Sequence, residues 1–159
     1  MLDWITPDWP APANVKALVT TRSGGVSLSP WDSMNLATHV GDSPESVQTN
    51  RNRLQQQLSL HYAATSPVQW LNQIHGTEVI KAPAVDAPAS TPADADAIFT
   101  RQPGLPIAVL TADCLPVFFC DQQGTQVAVA HAGWRGLSAG ILEKTVASFS
   151  CQPAELLAW

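Results

Sequence analysis

Residues 117–131 read Val-Phe-Phe-Cys-Asp-Gln-Gln-Gly-Thr-Gln-Val-Ala-Val-Ala-His, two apolar runs separated by a polar segment. Apolar runs of roughly four to eight residues bounded by turn residues are typical of buried strands. The glycine at position 124 favours a tight reversal, because glycine adopts positive φ angles without strain. We therefore predict a β-hairpin whose strands are residues 117–120 and 126–131, joined by residues 121–124.

Further elements follow on both sides of this hairpin. A helix is predicted from Ser43 to about Leu60, with Ser43 as N-cap, Pro44 at the first helical position and Glu45 favoured by the helix dipole. Its apolar stripe is formed by Val47, Leu54 and Leu58. A second helix is predicted at 138–149, and further strands at 16–21, 68–71, 77–82, 97–100 and 106–111.

The order of these elements predicts the fold class. Strands and helices do not alternate strictly, which favours an α+β fold with a mixed sheet and packed helices over a regular βαβ arrangement. Residues 83–94, rich in Ala, Pro and Asp without periodicity, are predicted to be a surface loop. We expect one domain over residues 1–159, and the apolar run at 156–158 reads as a strand within which the chain stops, which predicts a truncated domain.

Composition narrows the function classes. Of the 159 residues, 45% are hydrophobic and 13% charged, and the net charge is −5, so no basic surface for nucleic acid or anionic lipid is expected. The first residues lack a basic leader, and the most apolar run, 107–119, is interrupted by Asp113 and Pro116. Three unevenly spaced cysteines do not form a disulfide framework. We predict a cytoplasmic protein that binds a small molecule.

Three segments combine reactive side chains with glycine or the ends of apolar strands: Asn72-Gln-Ile-His-Gly76, Thr111-Ala-Asp-Cys-Leu-Pro116 and His131-Ala-Gly-Trp-Arg-Gly136. Two imidazoles and a thiolate, from His75, His131 and Cys114, suit Zn²⁺ and leave a fourth position open for water or substrate. His39 and His61 are weaker candidates, in a polar turn and at the end of the first helix.

The residues alone leave other interpretations open. Histidine next to glycine is common in ordinary turns, and a cysteine beside leucine, as at Cys114, is usually a small buried hydrophobe. Cys114 paired with His131 or His75 is also the pattern of a thiol hydrolase. Glycines 133 and 136 with Arg135 suit an anion at a helix start. Multicopper chemistry is not expected, because such centres use His-x-His pairs and this chain has four histidines without one.

Six motifs in order resemble the YfiH-like family, variously labelled polyphenol oxidoreductase "laccase domain", peptidoglycan editing factor and purine nucleoside phosphorylase. They are Thr21-Arg-Ser-Gly-Gly-Val-Ser27, Met34-Asn-Leu36 with Val40-Gly-Asp42, Asn72-Gln-Ile-His-Gly76, Asp94-Ala-Asp-Ala97, Thr111-Ala-Asp-Cys-Leu-Pro116 and His131-Ala-Gly-Trp-Arg-Gly136. The resemblance runs from about residue 16 to the last residue. The last two motifs together are highly specific.

The resemblance implies a metal site on His75, Cys114 and His131, an α/β sandwich grouped with cysteine hydrolase-like folds, and a C-terminal portion missing from this chain. It also implies phosphorolysis of adenosine, inosine and methylthioadenosine, and deamination of adenosine. The family labels leave a polyphenol oxidase with copper and a peptidoglycan-precursor editing factor as alternatives.

These implications predict roles for individual residues. Zinc on the three ligands would engage a purine nucleoside while phosphate attacks the ribose anomeric carbon, in a monomer or homodimer. Cys114, Asp113 and Arg135 are predicted to take part in the chemistry, with Asp113 as general acid or base. Phosphate or ribose is predicted to be bound by Arg135 and by the turn Ser23, Gly24 and Gly25. Polar groups of the substrate are predicted to contact Asn35 and Gln73.

Overall fold

The computed structural model describes residues 3–62, 64–84 and 91–159. They fall into two compact units: Met1–Pro7 with Ala17–Thr65, and Asp8–Lys16 with Ser66–Trp159. The prediction of one domain over residues 1–159 stays a prediction, as does that of a missing C-terminal portion. None of the described helices has the length and apolar character that a bilayer crossing requires.

The first unit contains a long helix and a short two-stranded sheet. Strands β1 (Trp4–Ile5) and β2 (Val19–Thr20) pair antiparallel, so the strand predicted at 16–21 is confirmed only over two residues. Helix α1 (Pro44–Tyr62) begins as predicted, and the Ser43 hydroxyl accepts a hydrogen bond from the amide of Ser46 at 3.3 Å. Its buried face includes Val47 and Leu54.

The second unit is built on a five-stranded sheet in the order β3-β4-β6-β5-β7. Strands β3 and β4 are parallel and all other pairs are antiparallel, so the predicted α+β fold with a mixed sheet is confirmed. Its strands are β3 (Val79–Lys81), β4 (Ala97–Thr100), β5 (Leu115–Asp121), β6 (Val127–Ala132) and β7 (Leu156–Ala158).

The predicted hairpin is the centre of this sheet. Strands β5 and β6 pair from Leu115 opposite Ala132 to Cys120 opposite Val127. Because successive side chains of a strand point to opposite faces, Ala128, Ala130 and Ala132 join one core cluster and Val129 joins another. The sheet is therefore covered on both faces, which explains the nearly continuous apolar runs of the hairpin.

Helix α2 (Trp134–Ala139) contacts β6 and the following helix, and this helix, α3 (Ile141–Ala147), packs on the face that carries the alanines. The prediction of one helix over 138–149 is wrong, because Gly140, with φ of 95°, caps α2 in the left-handed conformation and separates it from α3. A short 3₁₀ helix, Pro153–Glu155, precedes β7.

Two further strand predictions were wrong, at 68–71 and 106–111. Among the described residues these segments share a single parallel bridge, Gln69 with Ile107. Prolines 67 and 106 precede the bridge in their two segments and lack the N–H that a longer ladder on that side needs. Strand β3 is shorter than the predicted 77–82, and the loop predicted at 83–94 lies partly outside the described residues.

Candidate metal centre

The hairpin brings Cys114 and His131 together. Cys114 directly precedes β5, and His131 lies at the far end of β6, opposite Pro116. In an antiparallel pair the beginning of one strand lies beside the end of the other, so the two side chains meet at the open end of the hairpin. His75 belongs to the segment that leads into β3, which is adjacent to β4 and is separated from β5 by two strands, β4 and β6.

The three predicted metal ligands form a cluster. Candidate ligand atoms of His75, Cys114 and His131 all lie within 4.8 Å of one another. The two imidazole rings meet edge to face, with centroids 4.8 Å apart. His131 is buried, Cys114 is half-buried and His75 is exposed, so the cluster is closed on the core side and open to solvent on the other. A donor set of two nitrogens and one sulfur with an open side fits a catalytic zinc site.

A fourth residue, Asp96, contacts this cluster and was not among the predicted site residues. Its carboxylate is completely buried and lies 2.8 Å from Nδ1 of His131. It also accepts hydrogen bonds from the backbone amides of Ile74, His75 and Gly76, at 3.3, 3.0 and 2.6 Å. The only sequence signal for Asp96 was its place in the Asp94-Ala-Asp-Ala97 motif.

His75 adopts an unusual backbone conformation. Its φ of 58° lies in the left-handed region, which costs a residue with a Cβ atom about 1–2 kcal/mol. Strained residues persist where the surrounding structure over-determines them, and they cluster at functional sites. The hydrogen bonds to Asp96 from residues 74–76 supply that stabilisation.

Gly133 has no side chain at the point where the three candidate ligands converge. An added Cβ would lie 3.0 Å from Sγ of Cys114 and 3.3 Å from Cδ2 of His75. The backbone of Gly133, with φ of −68° and ψ of 158°, is open to any residue. Space between the ligands, and not backbone conformation, therefore explains this glycine.

The other predicted site residues of this unit have varied surroundings. Gln73 is engaged by the chain itself: its amide donates to the carbonyl of Leu110 at 2.8 Å and accepts from the amide of Leu110 at 2.6 Å. Asp113 is exposed directly before Cys114. The guanidinium carbon of Arg135 lies 4.4 Å from the ring centroid of Trp134, and both side chains are exposed.

Four predicted substrate contacts, Ser23, Gly24, Gly25 and Asn35, belong to the first unit. Gly24 has φ of 92°, and its carbonyl accepts a hydrogen bond from Arg53 at 2.8 Å. The Asn35 amide donates to the Asp42 carboxylate at 3.0 Å. The pKa of Asp42 lies below its ordinary value, mainly because Ser27 donates a hydrogen bond to the carboxylate and also because Asn35 does. The roles of these four residues stay predictions.

Comparison with known proteins identifies the family. A family model described as multi-copper polyphenol oxidoreductase laccase matches residues 16–159. A purine nucleoside phosphorylase of Pseudomonas aeruginosa is 52% identical over 156 residues, which are 98% of this chain and 60% of that protein. The purine nucleoside phosphorylase YfiH of Escherichia coli is 51% identical over 155 residues, 98% of this chain and 61% of that protein.

Solved structures share the fold. Neisseria meningitidis protein NMB0706 superimposes with a TM-score of 0.88 at 51% identity, covering 98% of this chain and 60% of that one. YlmD from Geobacillus stearothermophilus gives 0.82 at 30% identity with the same coverage. The chain thus spans about 60% of the length of these relatives. The extent of the family match and the identities show that the chain belongs to the YfiH-like family, the multi-copper polyphenol oxidoreductase laccase family of the matching model.

Proposed function

We propose that this chain carries the zinc centre of a purine nucleoside phosphorylase. The half-open cluster of His75, Cys114 and His131 is the observation that carries the proposal. The names of the relatives in Pseudomonas and Escherichia supply the reaction, the phosphorolysis of a purine nucleoside. In this proposal the enzyme is a cytoplasmic monomer or homodimer, and its substrate is a small molecule.

The donor set favours zinc over copper. Zinc is a borderline-soft ion that takes imidazole and thiolate together, and catalytic zinc sites have three protein ligands and an open position. A multicopper centre needs more imidazoles than the two present in this cluster. When bound, zinc supplies Lewis-acid polarisation of a substrate atom or of water.

The chain's own residues bind and orient the reactants. A phosphate oxygen forms a bond to C1′ of the ribose, and the C1′–N9 bond breaks with its electron pair moving to the purine. Asp113 is exposed and directly precedes the candidate ligand Cys114, and it delivers the proton that the departing base takes up. Arg135 and the Ser23–Gly25 turn bind phosphate or ribose, and Asn35 and Gln73 contact polar substrate groups.

Adenosine, inosine and methylthioadenosine are the proposed substrates. Deamination of adenosine is a second proposed activity, in which water replaces the amino group at C6 and ammonia leaves. Zinc deaminases of nucleobases use a related set of histidine and cysteine ligands, which supports placing this activity at the same centre.

Elemental analysis of the purified chain tests the metal. We expect about one zinc per chain, lost in Cys114→Ala and retained in Cys151→Ala, a matched control because Cys151 is also half-buried but lies outside the cluster. Copper in place of zinc, with oxidation of a phenol, would contradict the proposal. Absence of metal, with a Cys114 that is readily alkylated and an activity that survives chelation, would favour the thiol hydrolase.

Chromatography of reaction mixtures tests the reaction. Each nucleoside is incubated with the zinc-loaded chain, with and without phosphate. Release of free base only when phosphate is present is expected, and inosine formed from adenosine without phosphate would report deamination. A zinc-loaded chain that releases no base, but binds a peptidoglycan precursor, would favour the editing factor and contradict the phosphorylase.

A further inference from the structure

Among the described residues, Asp96 has the only side chain that forms hydrogen bonds with both histidines of the metal cluster, with the ring of His131 and with the backbone of His75. One of its oxygens lies 2.8 Å from Nδ1 of His131 and 3.0 Å from the backbone amide of His75. Its other oxygen accepts from the amides on either side of His75. The side chain is fully buried, so no water competes for these hydrogen bonds.

The contact with His131 selects one ring nitrogen. A carboxylate accepts a proton, so Nδ1 of His131 carries the hydrogen and Nε2 is left with the lone pair that a metal needs. The backbone strengthens this arrangement, because the amide of His131 donates to the carbonyl of Asp96 at 2.7 Å. His131 is therefore tied to Asp96 through both its main chain and its ring, which restricts rotation of the imidazole.

The contact with His75 acts on its backbone. Three successive amides, from Ile74, His75 and Gly76, point at the same carboxylate, an arrangement of backbone N–H groups that favours an anion. The left-handed φ of His75 belongs to this arrangement. Without the anion the three amides lose their acceptor, and the backbone of His75 is free to relax to a negative φ, which would move its ring.

We propose that Asp96 is a positioning residue that sets both histidine ligands for the metal, the ring of His131 directly and the backbone of His75 through three amides. The proposal rests on the metal centre of the proposed function. Its distinctive consequence is that one carboxylate, which is not itself a ligand, controls metal affinity through two ligands at once.

The test compares Asp96→Asn with the wild-type chain and with Asp121→Asn. Asp121 is the matched control because it is also a buried carboxylate that accepts backbone amides, from Thr125 and Gln126, but at the turn end of the hairpin. Affinity for Zn²⁺ is measured by competition with a chromophoric chelator. We expect Asp96→Asn to bind Zn²⁺ about 10–100-fold more weakly, and Asp121→Asn to bind as the wild type does while unfolding at lower denaturant.

Cobalt spectra separate a change of position from a loss of the site. Co²⁺ bound to Asp96→Asn should keep the thiolate-to-metal band from Cys114, with shifted d–d bands that report altered histidine geometry. Equal Zn²⁺ affinity and unchanged Co²⁺ spectra in Asp96→Asn would overturn the proposal while leaving the metal centre intact. A wild-type chain that binds neither ion would overturn the proposed function itself.

A measurement on the wild-type chain keeps the proposal testable if Asp96→Asn does not fold. Nitrogen-15 NMR of the histidine rings in the zinc-loaded chain should show His131 with a proton on Nδ1, slowly exchanging because it is buried, and with Nε2 bound to zinc. A proton on Nε2 of His131 would overturn the proposal.

Discussion

Replacing Gly133 with alanine tests whether the metal cluster requires an empty position beside its ligands. The new Cβ would lie 3.0 Å from Sγ of Cys114, 3.3 Å from Cδ2 of His75 and 3.7 Å from Cε1 of His131. Non-bonded heavy atoms prefer about 3.5–4.0 Å, so the sulfur must retreat by about half an ångström. Metal–ligand distances tolerate only about 0.2 Å. We therefore expect the affinity for Zn²⁺ to fall about 10-fold or more.

The same substitution should leave the fold nearly intact. Gly133 has an ordinary extended backbone conformation, and the two nearest ligand atoms belong to Cys114, which is half-buried, and His75, which is exposed. We expect the free energy of unfolding of the metal-free chain to fall by about 1 kcal/mol, at the low end of the cost of overpacking. Denaturant unfolding with a chelator present measures this term separately from metal binding.

Gly140→Ala is the control, because it should lower stability and leave the affinity for Zn²⁺ unchanged. Gly140 has φ of 95°, and the atom nearest to an added Cβ is a carboxylate oxygen of Glu143 at 3.5 Å, an ordinary contact. We expect a loss of about 1–2 kcal/mol of stability from backbone strain and an unchanged affinity for Zn²⁺. Wild-type Zn²⁺ affinity in Gly133→Ala would refute the argument that the ligands converge around this glycine.

Three further predictions concern residues away from the metal centre. Burial raises the pKa of Cys120 to about 11, so iodoacetamide at about pH 8 should leave this thiol unmodified until the chain is unfolded, as peptide mass spectrometry would show. Hydrogen bonds, led by that from Ser27, lower the pKa of Asp42, so its contribution to stability is present above the ordinary pKa of 3.8 and is lost as the pH falls through the lower folded value. Ser27→Ala should reduce this acid-dependent loss in thermal melts recorded at decreasing pH, and an unchanged pH profile would contradict the assignment. The fully buried amide of Asn50 makes four hydrogen bonds, so Asn50→Ala should lower the free energy of unfolding by about 3 kcal/mol. Asn52→Ala, on the exposed side of the same helix, should change it by less than about 0.5 kcal/mol in the same denaturant titration.

Short sequence patterns correctly predicted the elements that depend on only a few neighbouring residues. The central hairpin and the start of α1 agree with the structure because strand composition, turn glycine and capping residues each act over a few residues of chain. The break at Gly140 was also readable in principle, since a glycine inside a helical pattern is a common C-cap. The strand predicted at 106–111 failed because an apolar run does not specify whether a partner lies alongside it.

The candidate ligands were recognised by residue type and by family resemblance, whereas their meeting is a property of the sheet. Cys114 and His131 approach each other because the ladder of β5 and β6 begins at Leu115, two residues earlier than the predicted hairpin, and so places them at one end. The position of His75 depends on the parallel pairing of β3 with β4, a long-range contact with no signature in spacing.

The sequence by itself determined the fold class, the central hairpin and the start of the first helix, because periodicity, turn residues and capping act over neighbouring positions. It offered His75, Cys114 and His131 as candidate ligands through their residue types together with the family resemblance. Only the tertiary structure decided that Asp96 links both histidines and that Gly133 leaves room between the ligands. Hydrogen bonds and close contacts between residues 74–76, 96, 114, 131 and 133 depend on how strands pair, and strand pairing joins positions that are distant in the chain.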